Sequence, residues 1–211
     1  MPLLRAGVFV PGALKAAALY PGFDRMGAIS AEMDFTLGNT DEARARQTMF
    51  AALHRVQQLP GVRAAALTTM LPYGNLTNGR RVMRTDEAAV AKTDPKAPEA
   101  GNGPIVTAAN PGWFDATRAK VLRGRDFTQT EAENKETPQV AIVDEVMAQA
   151  LYPKGDALGQ HIRYTTPPSD GSPNEMTIVG IVSKHRHEVL GEEIPRRLFV
   201  PFAQAYNGGV I

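Results

Sequence analysis

The clean alternation over Ala28–Leu37 constrains this chain's fold more than any other feature. Ile29, Ala31, Met33, Phe35 and Leu37 fall on one side, and Ser30, Glu32, Asp34 and Thr36 on the other. A period of two means a strand with one buried face. A helix follows. Asn39 with Glu42 three residues on resembles a capping box, with Asn in place of Ser or Thr. Met49, Leu53, Val56 and Leu59 recur at helical spacing. Pro60-Gly61 stops that helix, and Val62–Met70 reads as a second strand. A β-α-β crossover makes its two strands parallel if they share a sheet.

The last third repeats the pattern. Val140–Val143 is a continuous apolar run, as a buried strand requires. Asp144 or a near neighbour caps a short helix with Val146, Met147, Ala150 and Leu151 on its apolar side, and Pro153 ends it. His161–Tyr164 and Met176–Ser183 read as strands around a loop containing Pro167, Pro168, Gly171 and Pro173. Arg197–Val200 is a final strand.

Between these units, residues 71–104 carry Leu71-Pro72, Gly74-Asn75, Asn78-Gly79, Asp94-Pro95, Ala97-Pro98 and Gly101–Pro104. That density of turn residues means loops. Arg80–Arg84 is a short strand within them. Order resumes with a strand at Ile105–Ala108, a short helix opened by Pro111 that carries Trp113 and Phe114, and a strand at Lys120–Leu122. Thr128–Pro138 is polar and acidic and reads as an exposed loop. The expected fold is α+β. A porter-like β-α-β layer is built from 21–70 and 139–205, with 71–138 as a smaller inserted mixed α/β subdomain. Residues 28–70 and 139–202 are expected to share one sheet, with Phe35, Leu53, Ile142 and Ile178 buried.

Several function classes drop out. A net charge of +1 gives no reason to expect nucleic acid. No cysteine is present, so neither disulfides nor a thiolate metal site are available. The sequence has no GxxxxGK[ST] phosphate loop, no GxGxxG turn and no GxSxG elbow. Of the four serines, Ser169 and Ser172 lie in a Pro/Gly-rich loop, where hydroxyls serve turns. A membrane-spanning helix needs about 20 mostly apolar residues. The best candidate, residues 1–20, is broken by Arg5, Pro11, Gly12 and Lys15.

The best metal candidate is His185 with His187. Two residues apart on a strand, they point to one side, with Glu188, Glu192 or Glu193 as a carboxylate donor. Lys184 and Arg186 beside them disfavour a divalent ion, so a solvated strand end is the better reading. His54 and His161 stand alone. Arg123-x-Arg125-Asp126 is the densest charge cluster next to a glycine. It reads as a turn with a local salt bridge ahead of an anion site. Trp113-Phe114 reads as a buried anchor ahead of a recognition hot spot. Glu192 and Glu193 have no opposing partner for general acid–base work. No catalytic, cofactor-binding or metal residue is assigned, and no cofactor is expected.

A set of short signals adds a resemblance. In order they are PGFD (Pro21–Asp24), LPGV (Leu59–Val62), PGWF (Pro111–Phe114) and GRDF (Gly124–Phe127). Then follow QVAIVDEVMAQALYP (Gln139–Pro153), DALGQHI (Asp156–Ile162), IVGIVS (Ile178–Ser183) and LFVPFAQ (Leu198–Gln204). In that order and spacing, the chain resembles the MacB-like periplasmic core domain of FtsX-type ABC transporter permeases. The resemblance implies fold-determining roles for Gly22, Phe23, Gly61, Phe114, Gly124, Gly159 and Gly180. Asp144 stands where that family commonly has asparagine.

The family implies a periplasmic domain set between two membrane helices and moved by a cytoplasmic ATPase. Its partners would be those helices, a periplasmic adaptor or a second copy, and its role non-enzymatic. Residues 1–20 would then be a residual membrane-proximal segment, and the chain an excised domain or truncated product. Both termini would leave one side of the fold. A free-standing extracytoplasmic protein that binds a ligand or peptide is the alternative.

Overall fold

The computed structural model describes residues 27–35, 41–71, 80–86, 103–168, 174–184 and 196–205. Along these the chain runs α1 (Glu42–Gln57), β1 (Val82–Arg84), β2 (Ile105–Ala109), α2 (Trp113–Thr117), β3 (Val121–Gly124) and α3 (Gln129–Glu133). It continues through β4 (Val140–Asp144), α4 (Glu145–Leu151), β5 (His161–Tyr164), β6 (Glu175–Val182), β7 (Arg197–Pro201) and α5 (Phe202–Ala205).

Every residue of β4 is buried, which suits a strand in the middle of a sheet covered on both faces. The sheet has seven strands in the order β1-β5-β6-β4-β7-β2, with β3 also paired to β6. The length of β6 organises it. Its first half pairs antiparallel with β5, its second half pairs antiparallel with β3, and its other edge carries β4 in parallel. Beyond β4, β7 is antiparallel to β4 and parallel to β2. The fold is therefore α+β with a mixed sheet, as expected. Strands β1, β2 and β3 all come from 71–138, so the described part of the inserted stretch is stitched into the core sheet.

Alternation along β4 divides the core. Ala141 and Val143 join one apolar cluster with Met49, Leu53, Ile178 and Leu198; Val140 and Ile142 join a second with Trp113, Phe114, Phe127 and Phe199. Leu53, Ile142 and Ile178 are buried, as expected from the pattern.

The first β-α-β unit departs from expectation. Ala28–Phe35 forms no ladder. Met33 and Phe35 only half-bury against the core, and Ile29 is 97 % exposed. Alternation decides which side of a strand would face inward but cannot supply the neighbouring strand. Thr36 and Leu37 lie outside the described residues.

Helix α1 is capped by Asp41, whose side chain accepts the Arg44 N–H at 2.9 Å; Asn39, the cap expected from the sequence, lies outside the described residues. Ala45, Met49 and Leu53 form its buried stripe. Val56 and Leu59 are exposed, in the last turn and beyond the helix end, because a helical stripe sets a direction but not the length of cover. The strand expected over Val62–Met70 shrinks to one bridge, Thr68 to Ala109. Side chains take the place of a ladder there. Asn110 Oδ1 accepts the Leu67 N–H at 2.6 Å, and Thr69 Oγ1 accepts the Ala108 N–H at 3.1 Å.

Within the expected loop Thr128–Pro138 stands α3. Thr128 Oγ1 accepts the Glu131 N–H, Glu131 accepts the Thr128 N–H at 2.8 Å, and Ala132 is fully buried. This is a reciprocal capping box.

Candidate functional site

The end of β3 and the turn after it hold the densest charges, and each has a partner close in space. Arg123 forms a two-pronged pair with Asp156, one bond being 2.9 Å, and this exposed pair holds the Asp156 carboxyl below its usual range. Arg125 forks onto Glu131 at 2.9 and 2.7 Å. Asp126 turns inward. Its Oδ2 accepts the Gly112 N–H at 3.2 Å and its Oδ1 the Phe127 N–H at 2.7 Å. Burial raises the Asp126 carboxyl, and those two N–H groups partly offset the rise. Arg123, Arg125 and Asp126 thus each serve structural contacts, which fits the turn reading of Arg123-x-Arg125-Asp126.

Trp113 and Phe114 are buried at the start of α2. Their rings meet edge to face at 5.3 Å between centroids, and both lie 5.1 Å from Phe199. They anchor α2 on the sheet, as expected, and such pairs add to the burial of their large apolar area.

The isolated histidines stand at the surface. His54 Nε2 lies 3.7 Å from Glu133, and His161 Nδ1 lies 3.0 Å from Glu175 across the β5–β6 pair. His185, His187, Glu188, Glu192 and Glu193 lie outside the described residues, as do Gly22 and Phe23. Among the described residues no group of three His, Asp or Glu is placed to hold a metal.

The buried polar residues are the feature that sequence reasoning passed over. Asp144, Arg197, Thr107 and Asn110 are at most 1 % exposed. Asp144 caps α4, accepting the Met147 N–H at 2.7 Å, which meets the sequence expectation. Its second role is electrostatic. The register of β4 and β7 pairs Ile142 with Phe199 and Val143 with Leu198, so its next step sets Asp144 beside Arg197.

Burial pushes the Asp144 carboxyl up to about 6, against the pull of the Met147 and Arg197 N–H groups and of the Arg197 charge. Burial lowers Arg197 to about 10, partly offset by Asp144. For both ions, loss of water outweighs their mutual attraction. The available signals were an aspartate closing an apolar run and an arginine opening one.

Two surface recesses accompany these features. One of about 230 Å³ is lined by Gln57, Val62, Arg63, Gly112 and Asp115. Another of about 550 Å³ is lined by Glu42, Arg46, Phe50, Glu133 and Lys135. Both are open and edged by charge, unlike the enclosed, mostly apolar clefts that hold small ligands. Among the described residues no helix is long and apolar enough to cross a membrane.

The chain is similar to the periplasmic region of MacB from Actinobacillus actinomycetemcomitans. The two share 13% identity with a TM-score of 0.50, over 77% of this chain and 60% of that one. It is also similar to the extracellular domain of the ABC-type transporter YknZ from Gram-positive bacteria. That match has 16% identity and a TM-score of 0.46, over 76% of this chain and 69% of that one. The chain therefore spans less than two thirds of the MacB region it matches. No curated protein matches it in sequence. The family model for the MacB-like periplasmic core domain matches residues 15–210, and the protein belongs to that family of extracytoplasmic domains of ABC transporter permeases.

Proposed function

We propose that this chain is a non-enzymatic mechanical and recognition module. It passes ATP-driven movement of a permease to substrate or to an extracytoplasmic partner. In the parent assembly its neighbours are the permease's membrane helices and, across the membrane, a cytoplasmic ATPase. On its outer side they are an adaptor or a second copy of the domain. The carrying observation is the continuity of the sheet. Strands from Val82 to Pro201 form one hydrogen-bonded body, with β6 gripped on both edges. A rigid body of this kind moves as a unit, and load applied at one edge reaches the other through packed strands.

The test uses the intact permease with its ATPase. Replacing residues 27–205 by a flexible linker is expected to abolish transport while ATP hydrolysis continues. Photocrosslinkers at Arg81 and Gly103, beside β1 and β2, are expected to capture an extracytoplasmic protein or a second copy. Transport that survives the replacement would overturn the reading. In that case, binding of a ligand by the isolated domain would favour the free-standing binding protein.

A further inference from the structure

We propose that Asp144 and Arg197 form a proton-operated joint between the first turn of α4 and the start of β7. Its two states are two opposite buried charges that make no direct ion pair and a buried lone cation. The geometry is independent of the transport reading. Asp144 is the last residue of β4 and the cap of α4, and Arg197 is the first residue of β7, one step beyond the Val143–Leu198 pair at which the β4–β7 register ends. Both are buried, at 0% and 1% exposure.

Neither is fully satisfied. Asp144 Oδ2 and Arg197 Nε and Nη2 have no hydrogen-bond partner among the described residues. Nor does Thr107 Oγ1, on the adjacent strand β2. Three neighbouring strands thus bring unmet polar atoms into one part of the core. Buried groups of this kind are costly and sensitive to a change of charge.

The electrostatic surroundings are simple. The charged groups acting on Asp144 are Arg197 from β7 and Glu145 from α4. Glu145 Oε1 accepts the Lys184 N–H at 3.1 Å beyond the end of β6. On β6 the register partner of Asp144 is Val182, and β2 carries no charge between Ile105 and Ala109. Asp144 therefore titrates against one buried cation, with little to buffer it.

With the carboxyl ionised, it accepts the Met147 N–H strongly and opposes the Arg197 charge. With the carboxyl neutral, the cap bond weakens, because hydrogen bonds to charged acceptors are the stronger kind. Arg197 then stands beside a neutral carboxyl: the cap bond alone loosens, while relief of the carboxylate's burial leaves the fold as a whole more stable. The elevated carboxyl value given above puts this exchange in mildly acidic solution, within reach of a compartment open to the medium.

The experiment is residue-resolved NMR on the full 211-residue chain between pH 4.5 and 8. The Asp144 carboxyl carbon is expected to titrate with a midpoint near 6. Hydrogen-exchange protection of the Met147 amide, corrected for intrinsic rate, is expected to fall about tenfold from pH 7.5 to pH 5. In Asp144→Asn, which keeps a capping oxygen, that fall should vanish. His161→Asn, on β5 and away from this joint, serves as a control that leaves the Met147 response intact. A wild-type carboxyl carbon titrating below pH 4.5 would overturn the proposal, even if Asp144→Asn did not fold. An identical Met147 response in wild type and Asp144→Asn would overturn it as well.

Discussion

Gly124 and Gly180 face each other in register where the turn after β3 crosses β6, and neither has room for a side chain. A Cβ on Gly124 would lie 2.2 Å from the Val179 carbonyl oxygen and 3.0 Å from Gly180 Cα. One on Gly180 would lie 2.5 Å from the Arg125 carbonyl oxygen. The Arg125 N–H completes the contact by donating to the Val179 oxygen at 3.0 Å. Both obstacles are backbone atoms, which cannot swing aside as a flexible side chain can.

Gly124→Ala and Gly180→Ala are therefore expected to cost about 3 kcal/mol each, from overpacking and, at Gly124, from its positive φ of 75°. Gly159→Ala is the control. Its φ is +80° but the space around it is open, so about 1 kcal/mol is expected. Urea unfolding midpoints of the three variants check the ranking. Equal losses would show that the close approach does not matter.

Stability should fall as pH rises past Asp144's transition. An acid whose folded value lies above its unfolded value of 3.8 binds more protons when folded. Its favourable contribution is complete below about pH 4 and is lost as pH rises through about 6. The loss is of order 3 kcal/mol, on top of an opposite trend from paired carboxylates at lower pH. Unfolding free energy measured at pH 5 and pH 7.5 should differ in wild type, and the difference should shrink in Asp144→Asn.

Arg197→Ala removes the only cation that opposes Asp144 from β7 and leaves a cavity. A loss of about 3 kcal/mol is expected at pH 7.5, and less at pH 5, where the carboxyl is neutral. Chemical denaturation of the variant at the two pH values reads this directly. A loss that did not depend on pH would point to packing alone.

Thr128→Ala should destabilise the protein by about 1 kcal/mol by opening the capping box of α3. Burial raises the Glu131 carboxyl, but the bonds from Arg125 and Thr128 outweigh it and hold the group below its usual range. Carboxyl-carbon titration should show the Glu131 value rising in both Thr128→Ala and Arg125→Gln.

Trp113 is the single tryptophan and is 3% exposed against Phe199 and Phe114. Its emission should be blue-shifted in the native protein and move to the red on unfolding. Phe199→Ala should cost about 4 kcal/mol, because it empties the centre of this cluster. Thermal melts followed at Trp113 test both expectations.

The last third was legible because its signals are local and agree with one another. The apolar run at Val140–Val143, the cap at Asp144, the stop at Pro153 and the strands at His161–Tyr164 and Met176–Ser183 are each written in neighbouring residues. Each stands in the fold within a residue or two. Burial of Trp113 and Phe114 was legible for the same reason. The helix α3 was also written there, as Thr128-x-x-Glu131, but an acidic, polar stretch masked it. The one residue that α3 buries completely is Ala132, too small to raise a hydrophobic signal.

The sequence by itself determined the elements of the last third, the inward faces along them and, through its ordered turns, the family. Only the tertiary structure decided which strands pair. Ala28–Phe35 has a perfect alternation and no ladder, whereas β1 has three residues and a place in the sheet, because pairing depends on a partner brought from far along the chain. Gly124 against Gly180 and Asp144 beside Arg197 are separated by about fifty residues of chain in each case. No local pattern encodes such a distance; the first comes from β3 pairing with β6, the second from β7 being laid beside β4.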